Sequence, residues 1–355
     1  MPELLLFALE RTRALGEAVA AGLGLSLAPH EEREFEWGQH KARSLTSVRG
    51  RDVFVLHSLH GEPGASANDK LCRLLFFVGA LKDAGAAAVT AVVPHLCYMR
   101  KERKTKPRDP VTTRYVAQLF EAVGVDRVVT VDVHDLAAWQ NAFRCRTEHL
   151  EARPLFVSRL LPLLRGAEPA VVSPDPGGFK RAQAFHAALE RALGRELPPV
   201  AMVEKRRSQG VVSGQRLFGD VDGRLAVIVD DMIVGGTTLA RAAAACRREG
   251  AARVLACATH GAFTAAADEA LAAPELEQVL VLDAVPPFAL DPSGPARQKL
   301  TLVPSAPLFA VAIRRLHEGG SLIELEEAPW PEPAQPETTP LHTPPHAPRS
   351  TGAPS

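Results

Sequence analysis

Residues 224–251 read RLAVIVDDMIVGGTTLARAAAACRREGA and decide the fold. The apolar run LAVIV is too short for a helix and predicts an inner strand of a parallel sheet. Two carboxylates, Asp230 and Asp231, follow at the point where this strand would end. A short polar loop and an Ala-rich helix come next, and Gly250 marks the end of that helix. The stretch therefore predicts a strand, a loop and a helix in direct succession.

The loop between this strand and this helix favours an anion. Gly235 and Gly236 let the backbone approach a ligand closely. The hydroxyls of Thr237 and Thr238 and the free N–H groups of the helix start favour a phosphate. Paired aspartates before the loop suit sugar hydroxyls or a cation. The alternative is a polar turn that binds nothing. The order of residues excludes both the ATP-type P-loop and the dinucleotide-binding fingerprint.

The same arrangement occurs earlier in the chain. GRDVFVLHSL at residues 50–59 parallels GRLAVIVDDM at residues 223–232, and LKDAGAAAVTAVVPH at residues 81–95 parallels CRREGAARVLACATH at residues 246–260. The first copy has a longer loop and lacks the acid pair. The repeat predicts two similar α/β domains, of which the second retains the phosphate loop. A chance match between two βαβ units is the alternative.

The composition is that of a globular protein with room for two domains. The chain has 355 residues, of which 46% are hydrophobic and 23% charged, and its formal net charge is +0. A balanced charge gives no global footprint for nucleic acid, so any anion site must be local. The five cysteines form no Cys-x-x-Cys pair, which argues against zinc and disulfides and for a cytoplasmic protein. No apolar run reaches the roughly 18 residues of a membrane span.

Residues 100–108 form a dense basic segment that contains six Lys or Arg residues. Pro107 and Pro110 exclude a regular helix there. The segment predicts an exposed flap that captures a triphosphate, although a charge run is more often solvated surface. His134 follows a predicted strand and lies between two acids. This position indicates a metal or phosphate ligand, and a structural histidine is the alternative.

Two further motifs lie in the second half of the chain. PDPGGFKRA, which begins at Pro174, contains an acid, a glycine pair and a basic helix start, and it predicts a second anion or metal loop. EKRR, at residues 204–207, follows a predicted strand. Taken by itself, this motif is typical of a solvated basic turn. The chain ends in a Pro-rich stretch with almost no large apolar side chains, which predicts disorder.

Taken together, these motifs resemble the ribose-phosphate pyrophosphokinase family over roughly residues 4–325. The resemblance implies an α/β fold with two similar type I phosphoribosyltransferase-like domains, each a mainly parallel sheet flanked by helices. We place these domains at residues 1–147 and 148–327, and a disordered tail at residues 328–355. The implied reaction transfers the diphosphoryl group of ATP to the 1-hydroxyl of ribose 5-phosphate, with magnesium, and gives phosphoribosyl diphosphate and AMP. The implied protein is a cytoplasmic homo-oligomer with no nucleic-acid or membrane partner.

The resemblance also assigns roles to individual residues. It implies catalysis by Lys205 and Arg207 and metal binding by His134 and Asp175. The ATP-binding residues that it implies are Phe35, Trp37, Gln39, Arg100, Lys101 and Arg103. The ribose 5-phosphate residues that it implies are Asp230, Asp231, Val234, Gly235, Gly236, Thr237 and Thr238.

The chain departs from the family pattern at two places. In the nucleotide segment, which usually reads Phe-Ser-Asp-Gly-Glu, the two acids are replaced by Trp37 and Gln39. In the ribose-phosphate loop, Val234 replaces an aspartate, Gly235 a threonine and Thr237 a common glycine. These departures motivate one alternative, a non-catalytic paralogue that regulates an active synthase. The other alternative is a phosphoribosyltransferase, which would have no use for the basic flap, the first domain or EKRR.

Overall fold

The computed structural model describes residues 2–208, 211–327 and 330, and the side chains of residues 205–215 and 326–327 lie outside this description. The predicted disordered tail, residues 328–355, lies outside it too, apart from residue 330. Among the described residues, no helix is both long and apolar enough to cross a bilayer.

The first half of the chain forms a five-stranded parallel sheet and a separate hairpin. The sheet has the order β1-β4-β5-β6-β7, and β2 pairs with β3 in the antiparallel hairpin. The elements, in chain order, are β1 (Leu4–Ala8), α1 (Arg13–Leu23), β2 (His30–Glu34), β3 (His40–Ser44), β4 (Asp52–Leu56), α2 (Ala67–Asp83), β5 (Ala88–Val92), α3 (Thr112–Ala122), β6 (Arg127–Val131), α4 (Leu136–Ala142) and β7 (Arg146–Leu150).

The second half forms a seven-stranded sheet of order β10-β9-β8-β11-β12-β13-β14, parallel except for the β9–β10 hairpin. Its elements are α5 (Arg153–Leu160), β8 (Pro169–Ser173), α6 (Phe179–Leu193), β9 (Ala201–Ser208), β10 (Val211–Phe218), β11 (Leu225–Ile233), α7 (Thr237–Arg248), β12 (Arg253–Gly261), α8 (Ala266–Ala272), β13 (Gln278–Leu282), α9 (Pro295–Lys299), β14 (Leu300–Val303), α10 (Ala306–Glu318) and α11 (Glu324–Glu327).

The two halves repeat one topology, which confirms the predicted pair of similar α/β domains. The strand order β1-β4-β5-β6-β7 matches β8-β11-β12-β13-β14. In each half, the first strand of the sheet is followed by a helix, α1 or α6, and then by a hairpin. The hairpin β2–β3 forms its own sheet, whereas β9 extends the sheet of the second half. The inner strands are buried on both faces because helices cover both sides, as their continuous Val, Ile and Leu runs predict.

The predicted boundary after residue 147 falls inside β7. This strand pairs in register with β6, so that Val128 lies opposite Thr147 and Val131 opposite Leu150. Its sequence, RTEHL, lacks the apolar run that identified the other strands of this sheet. We therefore propose that the division between the halves lies after Leu150.

The halves share one continuous hydrophobic core. One cluster of buried side chains includes Leu6 and Phe54 of the first sheet together with Val227 of the second. The last long helix, α10, packs against α1, and a Cβ atom at Gly22 would lie 2.9 Å from Cβ of Ala310. Glycine at that position therefore permits the close approach of the two helices, which fixes the first half against the end of the second.

This packing predicts a large stability loss for Phe309→Ala in α10. Phe309 is fully buried in the shared cluster, and removing a buried Phe side chain costs about 3–5 kcal/mol. Urea unfolding at equilibrium measures the change. The matched control is Phe76→Ala, at a side chain that is 64% exposed, for which we expect a change within about 0.5 kcal/mol. Equal losses for both variants would show that α10 is not part of a shared core.

Candidate active site

The loop after β11 presents an acid pair and an open helix start at one edge of the second sheet. Asp230 and Asp231 lie near the carboxyl end of β11. Gly236, immediately before α7, has a φ of 72°, a left-handed conformation that favours glycine. A Cβ atom there would lie 2.7 Å from Cβ of Ala270. Because Gly236 has no side chain with which to cap α7, the first N–H groups of that helix are open to an anion.

In the first half, a carboxylate of the chain itself closes the corresponding helix start. Asp69 Oδ2 accepts hydrogen bonds from both the backbone N–H and the hydroxyl of Ser66, each at 2.7 Å. Ser66 Oγ in turn accepts a hydrogen bond from the N–H of Asp69 at 3.2 Å. This capping box puts a negative charge where the second half leaves room for a ligand. The loop before α7 is therefore the one suited to phosphate, as the sequence predicts.

The acid pair has cationic partners from two other elements. His134 Nδ1 lies 2.9 Å from Asp231 Oδ2. Arg181 Nη1 lies 3.5 Å from Asp231 Oδ1 and 3.6 Å from Asp230 Oδ1. His134 follows β6 of the first sheet, so its hydrogen bond joins the two halves of the chain. Charge-assisted contacts of this kind satisfy carboxylates that are largely removed from water.

These contacts separate the pKa values of the two acids. Burial and the neighbouring charge of Asp231 raise the pKa of Asp230 to about 7. Burial also acts to raise the pKa of Asp231, but the hydrogen bond from His134 and the charge of Arg181 outweigh it and lower that pKa. The same hydrogen bond raises the pKa of His134. Near neutral pH, the pair therefore combines a charged carboxylate with a carboxyl group that can gain or lose a proton.

A cleft of about 740 Å³ lies over the acid pair, between the two halves. The loop before α7, the turn before α6 and residues 100–103 contribute its walls. The structure thus brings together residues that the sequence assigned to three separate subsites. The predicted site residues that line the cleft are Arg100, Arg103, His134, Asp175, Asp230, Asp231, Val234, Gly235, Gly236, Thr237 and Thr238.

The oxygen donors of this cleft fit magnesium. Asp175 lines the cleft, and its Oδ1 accepts a hydrogen bond from the N–H of Gly178 at 3.1 Å. Within residues 2–208 and 211–327, no group of three or more His, Cys, Asp or Glu side chains forms a ready-made metal site. Magnesium commonly binds through one or two carboxylates together with substrate phosphates and water. Asp175 and the acid pair match that requirement. The hydrogen bond from Nδ1 of His134 to Asp231 leaves Nε2 able to bind a metal, so the metal-binding role of His134 stays a prediction.

The basic segment is only partly directed at the cleft. Arg100 and Arg103 line it. Lys101 Nζ instead lies 2.9 Å from Asp109 Oδ2, which also accepts a hydrogen bond from the hydroxyl of Thr105. Asp109 therefore folds the segment back on itself, without regular secondary structure, as the prolines predict.

The predicted nucleotide segment lies at the tip of the β2–β3 hairpin, and its residues Phe35, Trp37 and Gln39 are not among those that line the cleft. Trp37 is 98% exposed and has a φ of 68°. Phe35 lies 5.1 Å below the guanidinium of Arg33. Within one described copy of the chain, the hairpin tip therefore remains separate from the phosphate-binding groups.

The predicted catalytic pair cannot be placed in full. The backbone of Lys205 and Arg207 lies in β9, but their side chains fall outside the described part of the chain. Glu204, the residue before them, lines the cleft. The strand that bears the pair thus borders the site.

Sequence reasoning missed two kinds of residue at this site. Glu204 gave no signal, because an acid at the end of a strand has many structural roles. Arg181 was recognised as part of a basic helix start, but its position against the acid pair depends on the packing of α6 beside β11. Asp132 is one of the two acids beside His134, and its sequence position indicates only the end of a strand. In the structure, its carboxylate accepts a hydrogen bond from Thr259 in the other half.

Comparison with known proteins gives the same assignment over most of the chain. Residues 4–124 match the family model for the N-terminal domain of ribose phosphate pyrophosphokinase. Residues 212–326 match the phosphoribosyl synthetase-associated domain. A ribose-phosphate pyrophosphokinase from Caldanaerobacter subterraneus is 38% identical over 88% of this chain and 94% of its own length. This chain belongs to the ribose-phosphate pyrophosphokinase family.

Other relatives agree in sequence and in fold. The ribose-phosphate pyrophosphokinase from Pasteurella multocida is 36% identical over 91% of this chain and 98% of its own length. The crystal structure of phosphoribosylpyrophosphate synthetase from Mycobacterium smegmatis superposes with a TM-score of 0.79 at 33% identity. That alignment covers 90% of this chain and all of the other chain. The predicted family and the predicted fold are thereby confirmed.

The two loop glycines should respond differently to alanine. We expect Gly236→Ala to lower the free energy of unfolding by about 1–3 kcal/mol, because the new Cβ meets Ala270 and the residue must keep a positive φ. Gly235→Ala is the matched control, since its nearest neighbour would be 3.9 Å away. Equilibrium unfolding in urea measures both. Equal effects would contradict the tight packing of α8 against this loop.

The hairpin that bears the nucleotide segment should weaken in acid. Burial acts to raise the pKa of Glu32, but hydrogen bonds from His30, the Glu10 N–H and His40 lower it to about 2. A depressed carboxyl pKa stabilises the fold above the usual value of 4.5 and loses that effect as pH falls toward 2.

We therefore expect Glu32→Gln to destabilise the protein at pH 6 by on the order of 2 kcal/mol, and by progressively less between pH 4.5 and pH 3. Urea unfolding at several pH values measures the difference from the native chain. A difference that does not change with pH would show that the Glu32 charge contributes nothing.

Proposed function

We propose that this protein is a ribose-phosphate diphosphokinase, which transfers the diphosphoryl group of ATP to the 1-hydroxyl of ribose 5-phosphate. The products are phosphoribosyl diphosphate and AMP, which supply nucleotide biosynthesis. The observation that supports this most strongly is the single cleft in which an open phosphate loop, a buried acid pair and two flap arginines meet. The names of the relatives point to the same reaction.

The sugar phosphate would bind in the loop before α7. The 5-phosphate would accept hydrogen bonds from the first N–H groups of α7 and from the hydroxyls of Thr237 and Thr238. Asp231 is held charged by His134 and would accept hydrogen bonds from the ribose hydroxyls. Asp230 lies beside it, with a pKa near neutrality. Phosphate and acid pair together would fix the orientation of the ribose ring.

The triphosphate would bind on the opposite side of the cleft. Arg100 and Arg103 would contact its phosphates, and we propose that Lys205 and Arg207 stabilise charge on the transferred group. Asp175, His134 through its Nε2, and the acid pair are the residues that would hold magnesium. When bound, that ion would offset charge on the phosphate oxygens.

The bond changes follow from this arrangement. The ribose 1-hydroxyl oxygen attacks the β-phosphorus, a new P–O bond forms, and the bond from the β-phosphorus to the oxygen that bridges to the α-phosphorus breaks. AMP leaves with that bridging oxygen, and the hydroxyl proton passes to a base or to water. Catalysis depends mainly on positioning and on the cations around the transferred group. Closure of residues 100–108 would exclude water that otherwise hydrolyses ATP.

The nucleotide segment supports a homo-oligomer as part of the proposal. Phe35, Trp37 and Gln39 do not line the cleft of their own chain, and the Trp37 side chain is almost fully exposed. A hairpin tip from another copy could supply the contacts to the base. The absence of the usual acid pair there predicts either weaker contacts to adenine or a base preference that differs from that of other members of the family.

Purified protein with ATP, magnesium and ribose 5-phosphate should release AMP in step with phosphoribosyl diphosphate. Lys205→Ala should lower kcat at least about a hundredfold, because a group that stabilises transition-state charge contributes two to three orders of magnitude. A coupled AMP assay, run with several nucleoside triphosphates, measures both the activity and the donor preference.

The control for surface charge is Arg165→Ala, at an exposed residue away from the cleft, which should keep normal turnover. Normal turnover in Lys205→Ala would reject the role of that lysine. If the native protein releases no AMP but lowers or raises the activity of a synthase mixed with it, the regulatory paralogue would replace the proposed enzyme. Product formation from phosphoribosyl diphosphate and a free nucleobase would instead favour a phosphoribosyltransferase.

A further inference from the structure

The turn that follows β6 has an unusual backbone conformation at Asp132. Its φ is 42°, in the left-handed region that non-glycine residues seldom occupy and that Asp and Asn tolerate best. Such a conformation persists only where the surrounding structure holds it. Asp132 Oδ2 accepts a hydrogen bond from the hydroxyl of Thr259 at 2.5 Å and another from the N–H of Ala152 at 3.1 Å.

The residues on either side of Asp132 are anchored as well. The carbonyl oxygen of Val131 accepts a hydrogen bond from His260 Nε2 at 3.0 Å. The N–H of Val133 donates to His149 Nε2 at 3.3 Å. Val131, Asp132 and Val133 each form a hydrogen bond with another part of the chain, and two of these four bonds come from β12 in the other half. These hydrogen bonds therefore fix the backbone conformation of the turn.

The neighbouring strands β11 and β12 hold both the partners of the turn and the residue that His134 contacts. Thr259 and His260 lie in β12, and Asp231 lies in β11. In the register of β11 and β12, Asp230 lies opposite Ala258 and Met232 opposite His260, so Thr259 is level with Asp231. The hydroxyl that anchors Asp132 and the carboxylate that binds His134 therefore belong to neighbouring positions of one rigid sheet. Outside the sheet, the short segment from Asp132 to His134 links them.

We propose that Asp132 and Thr259 are positioning residues that hold His134 against Asp231. Neither residue needs to touch substrate for this role, because each acts through His134. The inference deepens the proposed function, in which Asp231 binds the ribose, but the geometry of the contact can be measured without any turnover. The rival interpretation is that the carboxylate of Asp132 acts directly, for example on a bound cation.

The decisive variant is Thr259→Val, which removes the hydroxyl and keeps the shape of the side chain. Proton NMR of protein labelled with ¹⁵N-histidine, recorded without magnesium, should show the His134 Nδ1–H signal, assigned by its loss in His134→Gln. In Thr259→Val this signal should shift or broaden into water exchange, and kcat should fall about tenfold, as is typical when a supporting hydrogen bond is lost. The KM for ATP should stay unchanged, because Arg100 and Arg103 are unaffected. Thr259→Ser should restore both the signal and kcat.

Two further variants separate positioning from loss of structure and from direct action. Thr301→Val in β14 removes a hydroxyl that binds Gln278 at 2.7 Å, remote from the cleft, and should change neither readout. Asp132→Asn keeps an acceptor oxygen and tolerates the positive φ, so it should retain far more activity than Asp132→Ala. If Asp132 instead binds a cation, activity should be lost in both Asp132→Asn and Asp132→Ala.

An unchanged His134 signal in Thr259→Val, or Asp132→Asn as impaired as Asp132→Ala, would overturn the proposal. If Thr259→Val does not fold, the His134 signal in Asp132→Ala, compared with that in Asp132→Asn, decides the matter: loss of the signal in Asp132→Ala alone supports the proposal, and an unchanged signal in both overturns it. If the native protein has no synthase activity, the proposed function is wrong. The positioning role is then tested by the NMR signal alone, which does not require turnover.

Discussion

The hydrogen bond between His134 and Asp231 is the contact on which the rest of the site depends. Asp231 is only 5% exposed, and a buried carboxylate with no partner costs several kcal/mol. The partner comes from the other half of the chain, 2.9 Å away. Once Asp231 is held in its charged form, repulsion and burial favour a proton on Asp230, and the cleft acquires two acids with different roles. Without His134, both carboxyl groups would compete for Arg181.

Such a contact requires halves that do not move independently. The shared apolar cluster and the packing of α10 on α1 provide this rigidity far from the cleft. Just past the carboxyl ends of β4 and β13, Ser58 donates a hydrogen bond to the carbonyl of Ala284. At the opposite end of β4, His317 Nδ1 lies 2.8 Å from Asp52 Oδ2. The two halves therefore form one body, and residues of both line a cleft that neither half contains alone.

Local patterns in the sequence predicted the parts of this site but not the contacts between them. The strand, loop and helix of residues 224–251 follow from short-range periodicity and glycine placement, and the repeat near residue 50 extends the same argument to the first half. The pairing of His134 with Asp231 spans 97 residues, and no local pattern encodes it. The resemblance implies that Lys101 binds ATP, but it does not reveal that the carboxylate of Asp109 lies 2.9 Å from the Lys101 amine. The strand RTEHL escaped notice because an edge strand need not be apolar.

The capping box at α2 has a consequence for the history of the two halves. Asp69 is covalently attached to the helix start that it closes, so a free anion would have to compete with an intramolecular carboxylate at high effective concentration. In the first half, a carboxylate of the chain itself therefore occupies this helix start. The sugar-phosphate site that we propose lies in the second half, where the helix start has no side-chain cap. In a fold with two similar halves, a capping box can thus close one of two equivalent helix starts to anions and still satisfy the N–H groups of that helix.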